Sequence, residues 1–238
     1  MSERRPFLTA EWRWLVMLNY EIDPALLKSL VPSGTELDSF QGVTYVSVVG
    51  FRFLQTRVFG LAIPFHRNFE EVNLRFYVRR KWEGEWRRGV VFVRELVPRR
   101  LIAWVARTVY HEPYLALPMS HRIEQDSSGV RCSYAWERLG RTELIEAQAT
   151  GDSVLADENS EEAFITEHYW GYSSHAGETN EYQVEHPRWR VWRAQHARFE
   201  ADVGTLYGDR FVATLAQAPR SAFIADGSPV TVRMKSTL

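Results

Sequence analysis

The chain has 238 residues, 45% hydrophobic and 25% charged, the composition of an ordinary globular protein long enough for a sizeable core. A formal net charge of −1 excludes the broad basic surface that nucleic acid or an acidic membrane would call for. The lone Cys132 excludes an intramolecular disulfide and a cysteine-based zinc site, and no apolar run reaches the roughly 18 residues of a membrane span. The opening Met-Ser-Glu-Arg-Arg-Pro leads into no apolar segment, so the expectation is a cytoplasmic protein.

Taken in chain order, Trp12, Trp14, Val16, Leu18 and Tyr20 alternate with Arg13, Leu15, Met17 and Asn19 as a first strand. Asp23-Pro24 opens a short helix carrying Leu26, Leu27 and Leu30, stopped by Pro32-Ser-Gly34. Val43 to Phe53 reads as a long strand with Gly50 as a bulge or bend, and Val58 to Phe65 as a proline-containing connection. A strand from Phe69 to Arg79 leads into a hairpin around Trp82-Glu-Gly84-Glu-Trp86, with its return from Gly89 to Leu96.

A helix follows from about Arg99 to Tyr110, ended by Pro113. Strands are expected near Pro118–Glu124, Val130–Glu137 and Leu144–Val154. Ser160-Glu-Glu caps a helix to about Tyr169, and Glu181–Trp192 is strand-like apart from His186-Pro187. Phe199 to Ala216 reads as one broken helix or two short ones, and Ser221–Ala225 with Pro229–Met234 as a closing hairpin turned by Asp226-Gly227. Strands dominate, connections are short and no βαβ rhythm appears. The expected fold is mainly β (α+β), antiparallel, with a few packed helices in a single domain over 1–238.

The strand Phe69-Glu-Glu-Val-Asn-Leu-Arg-Phe-Tyr-Val-Arg79 is the most informative stretch. Val72, Leu74, Phe76 and Val78 form one face at period two and belong in a core. The other face gathers Glu71, Asn73, Arg75 and Tyr77 at steps of about 7 Å. Facing solvent, they make an ordinary half-exposed strand, which alternation alone favours. Facing the inside of a barrel, they make a prearranged set of polar groups for a small molecule.

Motifs for other chemistries are missing. No nucleotide-binding glycine fingerprint and no His-Glu-x-x-His occurs, and Gly171-Tyr-Ser-Ser-His departs from the nucleophile elbow at His175. The 7 histidines are scattered; His168 and His175 would share a helix face only if the helix ran through Gly171. No metal site and no cofactor are expected. Arg79-Arg-Lys-Trp-Glu-Gly-Glu-Trp-Arg-Arg88 mixes cations and tryptophans as nucleic-acid grips do, but the acidic tip and neutral chain favour a solvated hairpin. The 9 tryptophans suit a core or the lining of an apolar cavity.

Several stretches together carry a resemblance: Trp12-Arg-Trp14 with Asn19-Tyr-Glu-Ile-Asp23 and Leu30-Val-Pro32, Phe69 to Arg75, Gly89-Val-Val-Phe, and Ala106-Arg107 through Pro113-Tyr114. The series resembles the YqjF-like bacterial family of unknown function, a branch of the acetoacetate decarboxylase-like superfamily. The resemblance implies a cone-shaped, largely antiparallel β-barrel with a buried pocket. In the decarboxylases that pocket carries a Schiff-base lysine beside a second lysine. Their segment reads Arg-x-Val-Phe-x-x-Pro-Lys-Lys, and the matching run here is Arg107-Thr-Val-Tyr-His-Glu-Pro113-Tyr114-Leu115.

Both lysines are therefore missing, and the chain's other lysines, Lys28, Lys81 and Lys235, lie on a helix, a hairpin and the C-terminal segment. Schiff-base decarboxylation is not expected. By the same resemblance Arg13, ten residues before Asp23, takes the place of a pocket arginine, and Glu71 that of a pocket glutamate.

Three readings follow. The first is a binding protein that holds a small anionic oxo- or hydroxy-acid or an aromatic compound on Arg13, Asn73, Arg75 and Tyr77. The second is a lysine-independent enzyme, of lyase, hydratase or isomerase type. In it Glu71 serves as acid or base, Tyr114 as a donor, and Arg13 and Arg75 as anion binders. The third is a buried Glu71–Arg75 ion pair that sets strand register with no ligand at all. The expected partner is a small molecule, with neither nucleic acid nor membrane, and homo-oligomerisation is left open.

Overall fold

The computed structural model describes residues 4–109 and 112–238. Its first half contains β1 (Pro6–Glu21), β2 (Glu36–Leu37), β3 (Tyr45–Val58), β4 (Phe69–Trp82), β5 (Glu85–Val97), α1 (Arg100–Val109) and β6 (Tyr114–Ala116). Then come β7 (Met119–Asp126), β8 (Gly129–Arg138), β9 (Arg141–Thr150), β10 (Val154–Leu155), α2 (Glu161–Thr166), β11 (Trp170–His175) and β12 (Glu178–Glu185). The chain finishes with β13 (Arg190–Arg193), β14 (His196–Glu200), α3 (Val203–Tyr207), α4 (Val212–Leu215), β15 (Ser221–Arg233) and β16 (Ser236–Thr237). The protein is mainly β, as expected.

A 12-stranded sheet runs β10-β13-β15-β1-β3-β4-β5-β11-β12-β16, and a further pairing of β12 with β15 closes its middle into a ring. Antiparallel β7, β8, β9 and β14 form a separate 4-stranded sheet outside that ring. This arrangement buries β4 on both faces. Val72, Leu74, Phe76 and Val78 pack with Val130, Cys132, Tyr134 and Ile145 of the outer sheet, while Phe69 and Tyr77 pack inward against Phe53, Phe164 and their neighbours. Gly50 lets the outer sheet come close, because a Cβ there would stand 2.8 Å from the Tyr134 ring and 2.9 Å from Ile145. Its role is close approach, not the bend expected from sequence.

Strand β1 changes face part-way. Arg13 pairs with Arg52 and Val16 with Gly50, so β1 carries an extra residue between them, and Trp14 takes φ 52°. This is a β-bulge. It puts Trp12 on the same side as Leu15 and Met17, inside the ring, and Trp14 with Val16, Leu18 and Tyr20 against the outer sheet. Unbroken alternation would have kept Trp12 and Trp14 together.

Other boundaries differ for local reasons. The first helix is two 3₁₀ turns, Pro24–Leu26 and Lys28–Leu30, the former capped by the Asp23 side chain accepting from Ala25 N at 2.8 Å. Phe199 lies on β14, paired with Ile145, and helix begins only at Val203 after the Asp202 cap. The region 144–154 divides into the end of β9 and the short β10, and 181–192 into β12 and β13. Strand β11 was not anticipated; it ends the helix before His168 and removes any helical relation to His175. The end of the expected helix at Tyr110 lies outside the described residues.

The closing hairpin is one strand, β15. Asp226-Gly227 does not turn, because β15 stays paired with β1 on both sides, Ala225 opposite Leu15 and Ser228 opposite Trp12. Gly227 is needed for a different reason: at φ +79° a Cβ would fall 1.9 Å from the Trp12 carbonyl oxygen. The hairpin from β4 to β5 does turn as expected, through Glu83 and Gly84, both at positive φ. Its cations are consumed locally: Arg80 and Arg87 reach the buried Glu181 carboxylate at 3.2 and 2.6 Å and flank the Trp82 ring.

Gly227→Ala should cost several kcal/mol, because backbone must move as well as adopt a strained dihedral. Gly140→Ala, at φ +73° with open space around it, carries the dihedral cost of about 1 kcal/mol alone. Chemical denaturation of the two variants measures the difference; equal losses would mean that the contact with Trp12 is not a constraint.

Candidate functional site

A cavity of about 200 Å³ lies inside the ring. Most of its wall is apolar, supplied by residues such as Trp12, Leu15, Phe51, Phe53 and Trp189. The polar part of the wall is concentrated where β4, β5 and β6 run side by side. Asn73 is opposite Glu95, and Glu95 is in turn alongside Tyr114 through the parallel pairing of β5 and β6. A register shift between Leu74 and Arg75 sets which β5 residues face in: Val90, Phe92 and Glu95 line the cavity. Glu112, Tyr182 and Arg75 complete this polar wall.

Glu71 is 2% exposed; it accepts from Asn73 Nδ2 at 3.1 Å and from the Tyr114 hydroxyl at 3.0 Å. Burial raises its pKa to about 7, with Asn73, Tyr114 and the charge of Arg75 opposing that rise. Glu112 accepts from the Tyr182 hydroxyl at 3.0 Å, and burial, aided by Glu71, lifts it to about 8. Glu95 is pushed well above the usual carboxylate range by burial and by the nearby Glu112 and Glu71. Burial and the nearby Glu71 and Glu95 hold the Tyr114 phenol protonated far past neutrality. The polar wall therefore retains carboxyl protons near neutral pH and shares them through phenol and amide hydrogen bonds.

Arg75 lines the cavity, donates to the Ile165 carbonyl at 3.2 Å and lies over the Tyr77 ring at 5.6 Å. Among the described residues it makes no ion pair with Glu71 or any other carboxylate, so the register-setting pair is not formed. His168 and His186 also line the cavity, and burial lowers each to about 4, leaving neutral imidazoles. His168 faces Asp38 at 3.2 Å, and His186 stacks on Trp189 at 4.1 Å between ring centroids.

Of the residues singled out from sequence, Glu71, Asn73, Arg75 and Tyr114 come together on this wall. Arg13 does not join them. The bulge at Trp14 turns it to the outer face, where it binds Glu11 at 2.8–2.9 Å and remains partly exposed. Tyr77 is buried but does not line the cavity; its hydroxyl joins Ser47 at 2.7 Å in a chain that runs through Asn19 and Ser221 to Glu161. Sequence reasoning missed Glu95, Glu112 and Tyr182. The one available signal was Glu95, a carboxylate directly before the apolar Leu96 and Val97 that end a strand.

Residues 9–229 match the family DUF2071, described as uncharacterized conserved proteins. The chain belongs to the DUF2071 family. A curated relative of this DUF2071 chain is the uncharacterized protein YqjF of Bacillus subtilis (strain 168), 28% identical over 199 residues, 82% of this chain and 78% of that protein. Solved structures with the same fold include the enduracididine biosynthesis enzyme MppR with HEPES bound, at TM-score 0.67 and 16% identity over 99% of this chain and 88% of that one. Acetoacetate decarboxylase from Legionella pneumophila aligns at TM-score 0.67 and 11% identity over 100% of this chain and 92% of that one. The DUF2071 chain thus has the acetoacetate decarboxylase-like fold that its sequence resembles. Among its described residues no helix is long and apolar enough to cross a membrane.

The raised carboxyl pKa values make stability depend on pH. Between about pH 4.5 and 7 the folded chain keeps a proton on Glu71 that the unfolded chain releases, so Glu71 costs stability increasingly as pH rises through that range. The melting temperature of Glu71→Gln relative to the unaltered protein should therefore climb by a few degrees from pH 5 to about pH 8. A constant difference across that range would show that Glu71 titrates normally.

Proposed function

We propose that this protein binds a small organic molecule inside the ring, with the molecule's polar head at the Glu71–Tyr114 wall and its body among the aromatic side chains. The observation that carries the reading is the cavity itself: about 200 Å³, largely apolar, with polar groups converging on one wall. Such an interior is costly to keep unless something uses it, since each buried carboxyl is desolvated without a full ionic partner. The fold supports the same reading, because a structure of MppR holds pyruvate.

The expectation of an anionic head rested on Arg13 and Arg75 together. Of the two only Arg75 lines the cavity, and it shares the lining with three carboxyl groups, so the aromatic or apolar body is the better supported part of that expectation. Mass spectrometry of small molecules released from protein purified out of its host should identify an unaltered ligand. Asn73→Leu should then weaken rebinding of that ligand at least tenfold, read by quenching of the cavity tryptophans, while leaving the melting temperature within a few degrees. No retained molecule together with no rebinding by any compound tried would sink the reading.

A second reading, a lysine-independent lyase, hydratase or isomerase, is favoured by one observation. Glu71 is held near neutrality with the Tyr114 hydroxyl 3.0 Å away, which suits a group that must both take and give a proton. Glu71→Gln should then lower kcat at least a hundredfold on any substrate found, with little change in KM. Unchanged turnover in that variant removes the catalytic role and leaves the binding reading intact.

A further inference from the structure

Hydrogen-bond direction at the polar wall is lopsided. The Tyr114 and Tyr182 hydroxyls spend their protons on Glu71 and Glu112, so neither proton is left for a ligand. Asn73 spends its amide N–H on Glu71, and its Oδ1 has no partner, although the residue is only 1% exposed. Glu95 is 2% exposed, and its Oε2 likewise has no partner among the described residues. Asn73 and Glu95 are cross-strand neighbours on the cavity wall, so two orphaned acceptors stand side by side.

Against these acceptors the wall offers one guanidinium, Arg75, which donates through Nη2 to the Ile165 carbonyl and whose Nε has no partner among the described residues. Lys235 attracts Glu112 electrostatically but does not line the cavity. The apolar wall adds Trp12 Nε1, unpartnered among the described residues, but at the polar wall three carboxyl groups share one guanidinium. A carboxylate head would add a fourth acidic group beside Glu71, Glu95 and Glu112, whose ionisation burial already opposes. A protonated amine would bring three N–H donors and a positive charge, and aromatic walls receive a cation favourably on their faces.

Resting on the reading that the cavity takes a ligand, we infer that this ligand is a small arylalkyl amine or a similar cation, whose ammonium sits at Asn73, Glu95 and Glu71 and whose ring lies among Trp12, Phe53 and Trp189. Volume limits the body to one ring and a short chain, since a cavity of about 150 Å³ is filled by benzene. No redox or covalent step is implied.

The test compares three probes of nearly equal size, 2-phenylethylamine, 2-phenylethanol and phenylacetate, by calorimetric titration of the full chain at about pH 8, where Glu71 is largely ionised. The amine should bind at least tenfold more tightly than phenylacetate, with the alcohol between them. Glu95→Gln, which keeps the shape but removes the acidic group that an ammonium would ionise, should weaken the amine at least tenfold and change the alcohol less than threefold. Glu112→Gln serves the same purpose if the first variant does not fold. Phenylacetate binding as tightly as the amine, or an amine affinity indifferent to both substitutions, overturns the inference and leaves the binding reading standing. Failure of all three probes to bind overturns both.

Discussion

The short pairing of β12 with β15, Val184 to Val232 and Glu185 to Thr231, is the contact on which the interior depends. Without it the large sheet has two open faces; with it, one face of every ring strand is turned inward. A forked ion pair reinforces the seam, Arg233 Nε and Nη2 each reaching a different oxygen of Glu185 at 2.9 Å, a geometry that fixes orientation as well as attraction. Beside it Phe7, Tyr182 and Val184 pack with Val58 and Val232, so the closure is also apolar. The outer sheet then covers the opposite face, and β4 becomes buried on both sides.

Double-sided burial gives the polar residues of β4 their meaning. The structure contains two kinds of buried glutamate, and the contrast is instructive. Glu181, 1% exposed, is clamped by the guanidiniums of Arg80 and Arg87, which anchor a hairpin and leave nothing for a ligand. Glu71, Glu95 and Glu112 have phenols, an amide and one another instead. The first arrangement offsets desolvation with charge; the second leaves it standing and keeps protons in place.

Much of this was legible in advance. The period-two pattern of β4 announced its apolar face, and the resemblance to the decarboxylase-like superfamily argued that Glu71, Asn73 and Arg75 face inward, although alternation alone favoured solvent. What could not be read was set by contacts distant in sequence. Glu95 faces in because β5 shifts register against β4, and Glu112 reaches the wall because β6 runs parallel to β5. Asp226-Gly227 has the composition of a turn, yet pairing along the whole of β1 keeps it extended. Phe199 lies in a helical pattern but is captured by the edge of β9. Local propensity was overruled each time by a partner strand.

Arg13 shows the same limit most sharply, because counting back from Asn19, Met17 and Leu15 gives it the parity of an inward residue. The extra residue at Trp14 inverts that parity for everything upstream. The bulge therefore acts as a one-bit selector between an indole and a guanidinium at the same place in the wall. Straightening the bulge with every residue kept would exchange Trp12 for Arg13 in the wall and bring a second guanidinium inside without altering any side chain. A shift of register, with no change of identity, is thus enough to change which groups such an interior presents.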